Sequence, residues 1–308
     1  MPWCCERRGW LIGLLLALGG LLPGGPCHAS ALQYCDHPAT LSADQKDRLF
    51  RFGAIIKTEL ESSGASLALV SRSGLDLSRF GVRYSHAGFS LKASPNTPWS
   101  VRQLYYACDE GRPRLYDQGL SGFLLGTDNP AIGYVSVVFV PPAEADELER
   151  AALDNARALQ LLNATYSANA YAWGVRYQNC NQWVMELLAT AWGRLDDADA
   201  PRAQAQRWLH DAGYAPTRFE VGNRALMWVG AFVPWLHSDD HPPNDIAEMV
   251  YRVSMPAAME AFVQARLPGA TRIEFCHTDR IVVVRHGWAP IADGCLPQAQ
   301  DTVIPLSD

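Results

Sequence analysis

The sequence predicts an α+β fold, and three observations carry the prediction. Capped segments with helical apolar spacing recur along the chain, and apolar runs of strand length lie between them. One strand pair is joined by a Pro- and Asn-containing turn, which reads as a hairpin and so implies an antiparallel sheet. A histidine in that hairpin precedes, by about ninety residues, a cysteine at the start of a helix.

The first residues read as an export signal. Arg7 and Arg8 precede an apolar stretch over 9–22, and Pro23, Gly24, Gly25 and Pro26 break it. Ala29-Ser30-Ala31 then offers a small-x-small cleavage site. The stretch is shorter than the ~20 residues that a spanning helix needs. Export to the periplasm or medium is therefore expected, with 1–31 as signal peptide and an uncleaved anchor as the alternative. Cys27 as a lipidated terminus fits poorly after Pro26.

Ser42-Ala43-Asp44-Gln45 is a capping box, and the helix after it carries Leu49, Phe50, Phe52, Ile55, Ile56 and Leu60 and stops near Gly64. Strands are expected over 66–72, 82–91, 99–106 and 133–140, the last stopped by Pro141-Pro142. A helix over 144–162 follows, then a loop rich in Tyr, Ala and Asn that ends at Cys180. The helix opened by Cys180 carries Trp183, Val184, Leu187, Leu188 and Ala191, and Gly193 ends it. Residues 32–194 form the expected core. Residues 195–308 form an α/β extension, with helices over 203–212 and 256–267 and strands over 271–275 and 280–285.

Of the cysteines beyond position 31, Cys276 and Cys295 flank a β-rich stretch and could form one disulfide, and Cys35 and Cys108 another. Cys180 is then the odd one out, a thiol in an oxidising compartment. Asn179 is a good N-cap, and a thiol at a helix start feels the dipole and unpaired N–H groups that favour thiolate. His86, flanked by Ser85, Ala87 and Gly88, is its expected base. Gln103, opposite on the next strand, is the expected orienting residue, with Asp109 in reserve. Tyr84, Trp173, Gln178 and Trp183 are the expected substrate contacts. His237, Asp239, Asp240, His241 and Asp245 invite a metal reading, but their spacing fits no closed site, so no metal or cofactor is expected. The formal net charge of −6, with no basic cluster, argues against a nucleic-acid partner.

The segments 84–89 (Tyr-Ser-His-Ala-Gly-Phe) and 177–184 (Tyr-Gln-Asn-Cys-Asn-Gln-Trp-Val) resemble the circularly permuted papain-like enzymes. These include lecithin–retinol acyltransferase and permuted relatives of the NlpC-type cell-wall peptidases. The whole chain also resembles an uncharacterised exported bacterial family, domain of unknown function 2145. The resemblance spans roughly 66–194 and implies a papain-like core with the His strand before the Cys helix. It further implies a cysteine hydrolase or acyltransferase acting through a Cys180 acyl-enzyme on an amide bond of cell-envelope peptide material, or on an acyl substrate. A binding module that kept the groove without turnover is the competing expectation. The acyltransferase relatives carry His where Gln103 stands.

Overall fold

A computed structural model describes residues 41–107, 110–195, 199–230 and 233–306, which lie in one compact unit, Tyr34–Asp308. The expected signal peptide, Cys35, Cys108 and Asp109 fall outside the described residues.

In chain order the elements are α1 (Ala43–Ser62), β1 (Leu67–Arg72), β2 (His86–Leu91), β3 (Ser100–Ala107), β4 (Arg112–Gln118), α2 (Leu120–Leu125) and β5 (Gly133–Phe139). Next come α3 (Pro142–Leu153), α4 (Asn155–Gln160), α5 (Cys180–Trp192), α6 (Pro201–Asp211), β6 (Thr217–Glu220), α7 (Arg224–Gly230) and α8 (Pro243–Ala247). The chain closes with β7 (Val250–Val253), α9 (Pro256–Arg266), β8 (Thr271–His277), β9 (Ile281–His286) and β10 (Thr302–Pro305). Eight strands form one sheet in the order β10-β9-β8-β5-β1-β2-β3-β4, every pair antiparallel, while β6 and β7 pair separately.

The capping box forms as the sequence implies: Ser42 Oγ accepts from Gln45 N–H, and the Gln45 side chain returns a bond to the Ser42 N–H. The single helix expected over 144–162 is instead two, because Asp154 leaves the helical region and its carboxylate caps the Ala156 and Arg157 N–H groups.

Alternation along the strands divides the core in two. Leu67, Leu69, Ala87, Phe89, Leu91, Leu104 and Val138 face α3, α5 and α9. Ala68, Val70, Val101, Val135, Val137 and Phe275 face α1 and α2. The chain beyond 195 is continuous with both, since β8 pairs along the whole of β5 and α9 shares the α5 core. A papain-like permutation is therefore not needed to describe the architecture: it is α+β, helices on both faces of one antiparallel sheet.

Cys276 and Cys295 form the expected disulfide, at a sequence separation of 19 and a Cα–Cα distance of 5.6 Å. It ties β8 to the turn before β10. On the loop-closure argument, replacing both cysteines by serine is expected to lower unfolding free energy by about 3 kcal/mol. Urea titration of the two proteins checks this, and an unchanged midpoint would refute it.

Candidate functional site

The site begins with α5. Asn179 is extended, its side-chain oxygen accepts from Gln182 N–H at 2.6 Å, and the helix starts at the next residue. Every residue from Cys180 to Ala191 is buried, so α5 is a central core helix rather than a surface one. Cys180 itself is only 7% exposed, so the start of the helix is buried with the rest.

His86 opens β2, and the β2–β3 register pairs Phe89 with Arg102, so Gln103 lies diagonally across from the imidazole. The structure brings these two together: His86 Nε2 is 2.6 Å from Gln103 Oε1. Gln103 Nε2 donates to Gln118 Oε1 at 2.8 Å, which leaves its Oε1 as the acceptor. His86 therefore carries its proton on Nε2 and presents Nδ1 as a bare lone pair. Burial, and then the Arg72 guanidinium, push this imidazole down to about 3 against the pull of the Gln103 bond, so it is neutral at pH 7. Arg72 is held in turn by Tyr105 Oη at 2.8 Å and by the Gly126 carbonyl.

The direction of the ring differs from expectation. Ala87 and Phe89 pack in the core that holds Cys180, and Phe89 meets the Trp183 ring at 6.1 Å. Alternation turns His86 to the other face. There its ring lies 5.1 Å from Tyr105 and 5.9 Å from Phe123, a residue of the α1–α2 core. The residues of β2 that face the cysteine helix are thus Ala87 and Phe89, not His86. The two segments still meet at one end of β2: Asn181 Nδ2 donates to the Ser85 carbonyl at 3.1 Å, joining the neighbour of the thiol to the neighbour of the imidazole.

The expected substrate contacts have structural partners. Tyr84 is buried, with its hydroxyl on Glu274 and a bond from Arg272 Nη2 at 3.1 Å, and burial raises its pKa. Gln178 donates to Leu161 O and Glu186 and accepts from Asn163 N–H, while Trp183 is buried with Nε1 on Ala158 O. Trp173 lies edge-on to His210 and Tyr214.

The cluster over 237–245 braces the approach to α5. Tyr177 stacks on His237 at 4.3 Å, Tyr171 N–H donates to Asp240, and His241 Nε2 donates to Asn169 O. No group of three His, Cys, Asp or Glu among the described residues is arranged to hold a metal ion. An open groove of about 450 Å³, lined by Arg150, Arg157, Arg194, Glu147 and Asp154, lies at the far end of α5.

Sequence reasoning passes over Asn181, whose only signal is its place beside Cys180, and over the buried Glu186–Arg202 pair. Among the described residues no helix is long and apolar enough to cross a membrane. No curated protein and no solved structure matches the chain. A family profile does match, over residues 59–263, two thirds of the sequence. The chain belongs to that family, described as an uncharacterized protein conserved in bacteria (DUF2145).

Proposed function

We propose that the protein is an exported cysteine hydrolase or acyltransferase, with Cys180 as nucleophile, His86 as base and Gln103 as the residue that orients the imidazole. The observation that carries this reading is the Asn181–Ser85 bond, which holds the first turn of the cysteine helix against the residue before His86. The Gln103 bond supports it, because it fixes Nδ1 as the proton acceptor. The ring leans to the α2 side, so the reading requires Nδ1 to collect the thiol proton around the start of β2. A bridging water at the start of β2 would supply that reach while leaving the Gln103 bond in place.

In the proposed reaction the Cys180 sulfur attacks a carbonyl carbon as its proton passes to His86. The Cys180 N–H at the helix start stabilises the oxyanion. The C–N or C–O bond then breaks, the leaving group takes the proton from His86, and water or an acceptor nucleophile releases the acyl group. A neutral imidazole suits this general-base route better than a standing thiolate–imidazolium pair. The proposed substrate is an amide of cell-envelope peptide material, and no cofactor takes part. A second reading, a cell-envelope binding module without turnover, is favoured by the orientation of the ring.

Iodoacetamide labelling of the native protein across pH separates the two. Labelling at Cys180 that slows in His86→Ala at a fixed pH of about 7 is expected of the enzyme, because a neutral base assists the attack without setting the thiol pKa. A labelling profile indifferent to His86 would instead favour the binding module.

A further inference from the structure

Beside the thiol, two buried amide oxygens have no hydrogen-bond donor: Asn181 Oδ1 and Gln182 Oε1. The orientation of both amides is settled by their nitrogens. Gln182 Nε2 lies within 3.3 Å of the Tyr171, Ala172 and Gly174 carbonyls, so this side chain is spent on bracing the loop before α5. Asn181 Nδ2 faces the Ser85 carbonyl at 3.1 Å and Met255 Sδ at 3.8 Å. Turning either amide over would set oxygen against carbonyl oxygen and replace bonds by repulsion.

Asn181 differs from Gln182 in where its amide stands. The side chain is 1% exposed and bridges the turn that carries Cys180 to the residue preceding His86. Its oxygen, on the same carbon as the bonded nitrogen, is therefore held in the seam between the two. A buried acceptor without a donor carries a desolvation penalty that nothing in the fold offsets, and such orphans call for an explanation.

We propose that Asn181 Oδ1 receives an amide N–H of the substrate, which makes Asn181 a residue that selects amides over esters at the Cys180 centre. The inference rests on Cys180 being the nucleophile. Asn181 takes no part in the electron flow: the S–C bond forms, the C–N bond breaks, and the leaving amine takes the thiol proton by way of His86. An ester has no N–H to offer, so it leaves Oδ1 unfilled in both ground and transition states. The bond to Ser85 preorganises the acceptor, because a rotation that would let the amide relax towards solvent breaks it.

The test compares the alkylation of Cys180 by iodoacetamide and by methyl iodoacetate, an amide and an ester of similar size, each rate divided by that of glutathione. The full-length protein is expected to prefer the amide about three- to tenfold over the glutathione reference. Asn181→Leu removes the acceptor oxygen, and the ratio should fall to the reference value if the variant melts cooperatively. A wild-type ratio equal to that of glutathione overturns the role of Asn181 and leaves Cys180 standing, and this arm needs no variant to fold. A preference that survives in a folded Asn181→Leu also overturns it. If neither reagent labels Cys180 until the protein is denatured, both the nucleophile and the acceptor fall together.

Discussion

Arg202→Met is expected to destabilise the protein by about 3–5 kcal/mol, because it leaves a carboxylate in the core without its cation. Glu186 has a fully buried side chain on α5, and Arg202 Nε and Nη2 meet it at 2.8 and 3.0 Å. Gln178 and Gln206 supply two further donors, at 2.6 and 2.7 Å. Burial raises the pKa of Glu186 even so, with Arg202 and the two glutamines pulling against it. Without Arg202 the folded pKa rises further above its unfolded value. Such a group contributes most below the unfolded pKa and loses its contribution as pH climbs through the folded one. Arg202→Met should therefore be nearest to wild type in acid and weakest in base. Adding Glu186→Gln should recover part of the loss and remove that dependence. Chemical denaturation at pH 5 and pH 8 reads all three proteins, and a deficit that is constant across pH would exclude an uncompensated charge as its origin.

The same pair connects stability to the site. Arg202 also donates to Val175 O at 2.7 Å and Tyr177 O at 3.0 Å, within the loop that ends at Asn179 and Cys180. Glu186 is on α5 itself. The cluster thus fixes the approach of the chain to the cysteine helix from two sides.

Much of this was legible in local chemistry. Ser42 and Gln45, Asn179 before Cys180, and the turn at Pro95 to Pro98 each report on neighbours a few residues away, and each element they imply is present. Gln103 was within reach for the same reason, since a hairpin fixes its register locally. The face of His86 was readable too: Ala87, Phe89 and Leu91 are the apolar set of β2, and period two sends His86 the other way. β4 left a weaker trace, because an edge strand reading Arg-Pro-Arg-Leu-Tyr-Asp-Gln carries charge where a central strand carries apolar residues. Least visible were the long-range polar groups. Arg83 bonds Glu274 and the Ile291 carbonyl from about two hundred residues away, and only the sheet order, which brings β8 near the entry to β2, makes them neighbours.

Acid should unfold the protein well before its carboxylates alone would require. His86 is held at about 3 and His277 at about 4, each chiefly by burial, against an ordinary value of 6.5. Both are neutral in the fold and take up protons when the chain opens. For a depressed folded pKa the contribution is complete above the unfolded value and falls as pH drops from about 6.5 towards the folded one. Between pH 8 and pH 5 each histidine should cost about 2 kcal/mol of unfolding free energy, roughly 4 together. The two are separable. His86 sits under α2 against Phe123, and His277 packs on Phe52 of α1 at 4.6 Å, beside the disulfide. His86→Gln and His277→Gln should each remove about half of the loss between pH 8 and pH 5, whatever they do to stability at pH 8. If His86→Gln leaves the loss intact, the imidazole is not held neutral in the fold. An imidazole that takes up its proton as readily in the fold as out of it would suit a thiolate–imidazolium pair, and the neutral general-base route proposed for His86 would give way to that pair.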